Sequence, residues 1–537
     1  MDYSDTTPDV SYTYDTAGRI ATRTDATGTT AYAYDPLGRL TARNNPTGAD
    51  PAYSYDRTGN LASATNAAGT TTYSYDTRNL VTTLTGPDGR RVDFAHDDTG
   101  RRTDTWFHVV PVGYDATTWA AHTHTDYDAA SRITRTWTAR ASNDATRVSD
   151  ISYSYASPGP AVCPGAPPVD TDTSLRWRQT DHLTARTTTY CYDPANRLTS
   201  ATTPGGDTWV YTYNTNGDRT STTLNGTVVQ SLAFNNADQI TTGGYSYDAS
   251  GNATAAPSLA ATVTYNGAEQ MTNRTTTGSA PVNVDYTYAG TDQVELTAIS
   301  RDGRAYAYGR TDGNGLPIIE SFTHGGTTYS YLYDPQGTPL AWLGGNAHYL
   351  AMDGLGSPTA LINHNGAQTG AYTYDPYGRT TATPIGGSAA IQYQIYGYAG
   401  GFDDPTSTLI HFGKRWYDPT TGRWTQQDSV EVLGDPGRGN RYEYAGSNPI
   451  NRVDPTGMYS WEDFWGDLAG GTTTVVFTLA GVRLGGVRGG IVGYTVGSCI
   501  GGFVGDNLTA ILKDESPTEG DAIGSCIGGA LSAFPGI

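Results

Sequence analysis

The sequence predicts a mainly β protein: a long meander of antiparallel hairpins, followed by a small glycine-rich α-helical region. Three observations predict it. Turn signals recur about every ten residues, residue types alternate with period two between them, and apolar sequence with regularly spaced Gly begins abruptly after Gly457. The composition agrees. The 537 residues include 39 Tyr and 66 Gly but only 16% charged residues, which fits neither disorder nor an ordinary greasy globule. Acidic residues outnumber Lys and Arg by 53 to 33, and a formal net charge of -20 opposes attraction to a phosphate backbone, so nucleic acid is not an expected partner.

The turns come first because they set the strands. Tyr12-Thr13-Tyr14-Asp15 recurs as Tyr32-Ala33-Tyr34-Asp35, Tyr53-Ser54-Tyr55-Asp56 and Tyr73-Ser74-Tyr75-Asp76, then decays to Phe94-Ala95-His96-Asp97. A second set falls between these copies, so that Asp15, Asp25, Asp35, Asn45, Asp56 and Asn66 are each followed three residues later by Gly. Asp or Asn bonds its own backbone and Gly supplies a positive φ, which together predict type I turns closing through a bulge. The residues left between turns alternate, as Thr30, Tyr32 and Tyr34 do against Ala31 and Ala33. Such strands span roughly 20 Å.

Neither face of this meander is consistently apolar. A sheet of that kind tolerates water on both sides and could wrap around a solvent-filled or cargo-filled space; a stacked solenoid or propeller with a polar core is the competing architecture. The signal weakens through about residues 100–300, where Ser157-Pro158-Gly159-Pro160 and Pro164-Gly165-Ala166-Pro167-Pro168 read as an irregular loop containing Cys163. Regular copies return at Tyr331-Leu332-Tyr333-Asp334-Pro335 and Tyr372-Thr373-Tyr374-Asp375-Pro376.

With these copies in place, the chain resembles the RHS-repeat (YD-repeat) proteins. Phe412-Gly413-Lys414-Arg415-Trp416-Tyr417-Asp418-Pro419 through Arg423-Trp424, then Asn440-Arg441-Tyr442-Glu443-Tyr444 through Asn448-Pro449, and Asp454-Pro455-Thr456-Gly457, resemble the RHS-associated core. The resemblance implies a spiralling strip of hairpins that forms a hollow shell, incomplete if about 457 residues cannot close it. It also implies a core segment that plugs one end and a variable C-terminal region enclosed as cargo, as in bacterial polymorphic toxins. The implied divisions are 1–400 for the shell, 401–458 for the core and 459–537 for the cargo. An immunity protein in the producing cell would be a partner consistent with that class.

The same resemblance implies self-cleavage by two aspartates, from a first Asp-Pro-x-Gly and a second Asp-Pro-x-Gly-Leu. The second is kept as Asp454-Pro455-Thr456-Gly457-Met458, whereas the first survives only as Asp428, without its Pro and Gly; Asp435-Pro436-Gly437 is an imperfect alternative. Two carboxylates close enough to share one proton could work as base and acid, which makes Asp428 and Asp454 the candidate catalytic pair and Met458–Tyr459 the candidate bond. A plain Asp-Pro turn explains the second motif equally simply.

In the tail, Gly481, Gly485, Gly489, Gly493, Gly497, Gly501 and Gly505 fall at every fourth position. Gly costs a helix about 1 kcal/mol relative to Ala, so this bare ridge is expected to let a second helix approach closely. Gly497-Ser498-Cys499-Ile500-Gly501-Gly502 recurs as Gly524-Ser525-Cys526-Ile527-Gly528-Gly529, which predicts a helical hairpin with Cys499 near Cys526 and room for a disulfide between them. No uncharged run reaches the roughly 20 residues of a membrane span. The tail is therefore read as a cargo that inserts into a membrane by self-assembly, as an inert plug, or, least readily, as an enzyme, since residues 459–537 contain no His.

No cofactor or metal site is expected. His122 and His124 form at most a weak pair. No signal peptide is visible at Met1-Asp2-Tyr3-Ser4-Asp5, so a secreted or cell-surface location would need another route. The leading functional reading is a shell that presents or releases a membrane-active toxin segment in bacterial competition or host interaction. The alternatives are a surface protein whose Tyr and Trp rows bind glycans, and a displaced C-terminal piece of a longer gene.

Overall fold

The computed structural model describes residues 3, 5–109, 118–290, 294–313, 315–428 and 440–458. The chain divides into two units, residues 1–471 and 472–537, and every described residue belongs to the first. The glycine ridge from Gly481 to Gly505 and the expected pair Cys499 and Cys526 lie outside the described residues.

Among the described residues the fold is β. A 19-stranded sheet runs from Ser11–Tyr14 to Thr227–Ser231, a 14-stranded sheet from Ser246–Tyr247 to Thr380–Pro384, and a 4-stranded sheet from Phe402–Asp403 to Arg423–Trp424. Each strand pairs antiparallel with the next in sequence, as the meander requires.

The Tyr-Asp turns form as their residues dictate. Gly18 N donates to Asp15 O at 3.0 Å, Asp15 N donates to Arg19 O at 2.9 Å, the register shifts at Tyr14, and Gly18 sits at φ 79°. Asp15 Oδ1 accepts from the backbone N–H groups of Ala17 and Arg19, both at 2.9 Å. The intervening turns differ from expectation. Asp25 pairs directly with Gly28 and Asn66 with Gly69, so two of these hairpins close through two residues without the bulge.

Where an Arg follows the turn, it couples one copy to the next. Arg19 Nε donates to its own Asp15 Oδ2 at 2.7 Å, its Nη1 donates to Asp35 O at 3.1 Å, and its guanidinium lies 4.7 Å from the centre of the Tyr34 ring. Arg39 repeats the pattern with Asp35, Asp56 O and Tyr55, Arg101 with Asp97, Asp128 O and Tyr127, and Arg197 with Asp193, Asn214 O and Tyr213. The second Tyr of a copy donates its hydroxyl back to an earlier strand, with or without an Arg over its ring: Tyr34 to Ile20 O, Tyr55 to Leu40 O and Tyr75 to Leu61 O. One cation over one ring contributes about 0.5–1 kcal/mol at an exposed site. Repetition makes the row substantial.

The first and second sheets lie against each other along a seam whose contacts advance in the same order through both. Thr7 Oγ1 accepts from Gly267 N, Arg23 and Arg43 meet Glu295, Tyr53 OH donates to Glu320, Tyr73 OH to Tyr333 O, and Tyr349 OH to His108 O. Leu84, Val92, Phe94 and Phe107 pack there with Leu332, Leu340, Tyr349 and Ile362. On the second sheet's other face, Tyr331, Tyr333, Trp342 and Leu361 pack with Ile395, Phe402, Leu409 and Trp416. The later strands are therefore dry on both faces, whereas two wet faces were expected throughout. The early strands keep the wet character, with hydroxyl pairs such as Thr13–Thr22 and Ser54–Ser63, both at 2.6 Å, on exposed positions.

Cys163 and Cys191 form a disulfide, with Cα atoms 5.2 Å apart, that fixes the Pro-rich loop to strand Arg186–Tyr192. It is buried beside Trp177, Tyr190, Tyr192 and Ile450.

Candidate self-cleavage site and the closing segment

The segment after residue 400 folds back onto both sheets, where polar anchors accompany the packing of Phe402, Leu409, Trp416 and Ile450. Trp416 Nε1 donates to Tyr288 OH at 3.0 Å, Tyr442 OH donates to Gly251 O at 2.6 Å, and Asn451 Nδ2 donates to Tyr192 OH at 2.9 Å. Arg423 reaches Asp218 and the carbonyl of Asp238, while Asn440 Nδ2 donates to Asp218 Oδ1 at 2.8 Å. Glu443 lies in the same junction, where burial pushes its carboxyl up to about 7 despite a hydrogen bond from Ser447 and the nearby Arg423.

Asp428 and Asp454, 26 residues apart, are brought together by Arg415. Arg415 Nη2 lies 2.9 Å from Asp428 Oδ2 and 3.2 Å from Asp454 Oδ2. The same guanidinium donates through Nη1 to Arg441 O at 3.3 Å and through Nε to Gly457 O, and it lies 4.3 Å from the centre of the Trp424 ring. The Asp454 and Arg415 side chains are buried, and that of Asp428 is partly exposed. Burial pulls the Arg415 guanidinium below its ordinary value, and the two carboxylates oppose that shift.

Local sequence explains how Asp454 is held. In Asp454-Pro455-Thr456-Gly457, Gly457 N donates to Asp454 O at 3.3 Å, and Asp454 Oδ1 accepts from Thr456 Oγ1 at 3.1 Å and from Met458 N at 3.2 Å. Gly457, at φ 63°, passes so close to the neighbouring turn that an added Cβ would stand 2.2 Å from Phe412 O. This turn could accept no other residue without moving the backbone. The arrangement places two carboxylates, one cation and the N–H of Met458 at one point. Tyr459 lies outside the described residues, as do 429–439, which include the alternative Asp435.

The histidines of the first sheet also come together. His122 Nε2 and His124 Nδ1 lie 3.0 and 2.6 Å from the same Asp104 Oδ1, while their other ring nitrogens face Asp144 at 2.7 Å and Asp126 at 3.1 Å. Their rings stack on Trp106 and Trp137. No group of three or more His, Cys, Asp or Glu among the described residues has the geometry to hold a metal ion.

Sequence reasoning placed Asp428 and Asp454 at this site but missed Arg415, although Lys414-Arg415-Trp416 stood inside the motif that carried the resemblance. An Arg is the natural signal wherever two carboxylates must be buried together, because otherwise they repel and lose hydration.

The strip of hairpins, its ladder of Tyr, Asp and Arg, and the segment folded onto it define a YD-repeat β-shell protein. The chain belongs to the Teneurin YD-shell family, whose model matches residues 2–106 and 170–450. It is similar to Teneurin-3 from Danio rerio, 38% identical over 68 residues, which is 12% of this chain and 2% of that protein. It is also similar to the tRNA3(Ser)-specific nuclease WapA from Bacillus spizizenii, 24% identical over 282 residues, covering 50% of this chain and 12% of that one. Among solved structures, the TcdB2-TccC3-Cdc42 crystal structure matches at TM-score 0.51 and 15% identity over 86% of this chain and 28% of the other. A Photorhabdus luminescens Tc holotoxin pore with mutated TccC3 matches at TM-score 0.51 and 15% identity, over 84% and 28%. The structural likeness is one of fold. The chain spans about an eighth or less of the curated relatives given above.

Proposed function

We propose that this chain is a shell protein that carries its own C-terminal segment as cargo and frees it by cutting the Met458–Tyr459 bond. The observation that carries the proposal is the convergence of Asp428, Asp454 and the Met458 N–H around Arg415. Asp454 grips the residue whose carbonyl is to be attacked, and Asp428 meets the same guanidinium nitrogen as Asp454 does. One carboxylate takes a proton from the attacking water while the other carboxyl gives one to the departing amide nitrogen, the division of labour that paired acids allow. Arg415 offsets their mutual repulsion and fixes the Gly457 carbonyl. It is a positioning residue.

The freed segment, rich in regularly spaced Gly, would act on a membrane by self-association. No helix among the described residues is long and apolar enough to cross a bilayer. Export to the cell surface or medium, action against a competing cell or a host, and an immunity protein for the producer are parts of the same proposal.

Mass spectrometry of the purified full chain tests the cleavage. The expected result is a C-terminal fragment beginning at Tyr459, lost in Asp454→Asn and strongly reduced in Asp428→Asn. A single intact species of 57.0 kDa from the unaltered chain would overturn the proposal. Dye release from vesicles by the freed fragment tests the cargo reading separately.

A further inference from the structure

A cleft of about 700 Å³ opens between first-sheet residues 23–79 and second-sheet residues 294–336, within the range of about 300–1,000 Å³ typical of ligand sites. In a chain of net charge -20, its lining is cationic. Arg23, Arg39, Arg43 and Arg310 line it, and Glu295 is the one acid among its described lining residues. Three of these cations have acids: Arg23 pairs with Asp25 and Glu295, Arg43 with Glu295, and Arg39 with Asp35. Arg310 differs. Its Nη1 donates to Pro335 O at 2.8 Å and its Nη2 to Asp334 O at 2.7 Å, both carbonyls, while its Nε is buried without an acceptor. Among the described residues no carboxylate forms an ion pair with it. The two acids whose fields reach it are held by other groups. Glu320 accepts from Tyr53 OH at 3.0 Å and from Asn66 Nδ2 at 3.5 Å, and Asp334 pairs with Arg102 at 2.8 Å. Burial also raises the Glu320 carboxyl against the pull of Arg310, which favours its neutral form. Tyr55 and Tyr75, whose phenols lie in the field of Arg310, line the same cleft, as does Pro335. The guanidinium is thus at the cavity wall. A cation taken out of water without an acid loses hydration that two carbonyls restore only in part.

We propose that this cleft binds a small organic ligand through a single carboxylate seated on Arg310. A guanidinium carries five N–H groups and the two carbonyls engage two of them, so N–H groups on Nη1 and Nη2 remain for a carboxylate oxygen. Charge selects the class of ligand. One cation lacks an acid, and one negative charge balances it. A phosphate monoester brings about -1.5 to -2, an excess that Glu295 in the same cleft would repel. The rest of the lining, including Tyr75, Pro317, Asn79 and Gln336, carries no charge and suits an uncharged body.

Ligand-observed NMR titrations of the full chain with benzoate, benzyl alcohol and phenyl phosphate test this, because the three probes share one ring and differ in charge. The expected result is saturable benzoate binding about tenfold tighter than that of benzyl alcohol, with phenyl phosphate no tighter than benzoate. Arg310→Gln should abolish the preference for benzoate. Because Arg310 also holds the carbonyls of Asp334 and Pro335, Gln336→Glu provides a second variant. Gln336 is exposed and directly follows Pro335, so the introduced carboxylate would take the ligand's place on Arg310. That change is expected to weaken benzoate about tenfold with a melting temperature unchanged or raised. Absence of saturable benzoate binding, equal binding of benzyl alcohol, tighter binding of phenyl phosphate, or a benzoate preference that Gln336→Glu leaves intact would overturn the assignment.

Discussion

Arg43 Nη2 sits 2.6 Å from Glu295 Oε2, joining residues 252 positions apart, and Arg23 Nη2 meets the same oxygen at 3.1 Å. Glu295 is thus shared by two buried guanidinium groups at the seam. Burial works to raise its carboxyl, but Arg43 and Arg23 prevail and hold it below the ordinary glutamate value. Replacing Glu295 with Gln leaves Arg43 without its acid. The expected cost is about 3–5 kcal/mol, the usual penalty for stranding a buried charge, read as a lowered denaturant midpoint. Its depressed value also means that this stabilisation is present above the unfolded glutamate value and lost as pH falls through the folded one.

Arg415→Lys should damage the closing segment more than charge conservation suggests. A single ammonium cannot at once meet Asp428, Asp454, Arg441 O and Gly457 O, as the planar guanidinium does. The predicted result is a loss of about 2–3 kcal/mol, together with faster amide exchange at Met458. Unchanged exchange there would remove the claim that Arg415 fixes the turn.

Glu443 makes the junction sensitive to pH in a defined window. Its carboxyl is raised to about 7, chiefly by burial, so the folded state binds a proton that the unfolded state releases near the ordinary glutamate value of about 4.3. Stability should fall as pH rises between those two values and level off above the higher one. The size is on the order of 2 kcal/mol, allowing for partial solvent access. Glu443→Gln should flatten that part of a melting-temperature profile.

His124 acts in a higher window. The Asp104 hydrogen bond, helped by Asp126 and opposed by burial, raises its imidazole above the ordinary value of 6.5. The stabilisation is complete below the unfolded value and is lost as pH rises through the raised one. His124→Gln should abolish this upper step while Glu443→Gln leaves it, which thermal melts from about pH 5 to 9 would separate.

Peptide mapping without reductant should recover Cys163 linked to Cys191. A disulfide with a sequence separation of 28 contributes about 3–4 kcal/mol in the chain-entropy account, so reduction or Cys163→Ser should lower the melting temperature measurably. Such a bond persists in an oxidising compartment.

Much of the strip was readable from residues alone because its determinants are local: Asp15 and Gly18 make their own turn, and Tyr12 to Tyr14 alternate within one strand. The seam was not readable. Nothing near Arg43 announces Glu295, and the pairing exists only once two sheets dock. The dry second sheet did leave a trace, since Leu340-Ala341-Trp342-Leu343 is an unbroken apolar run of the kind buried on both faces, yet it was outweighed by the alternating copies around it. At the candidate site, Asp428 and Asp454 carried a motif, whereas the role of Arg415 depended on a fold-back that places Arg441 and Gly457 beside it. The pairing of Cys163 with Cys191 was not legible because neither lies in a short Cys motif.

The Arg ladder bears on how such chains change length. Arg19 holds its own Asp15 and clasps Tyr34 and Asp35 of the following copy, so the contacts within the strip run between immediate neighbours and the long-range ones are left to the seam. A duplication or deletion of one whole unit re-forms the contacts between neighbours, whereas a slip of one residue between two paired strands turns a strand's side chains to the wrong face. Growth in this family should therefore proceed in quanta of about twenty residues, with the seam deciding which totals survive.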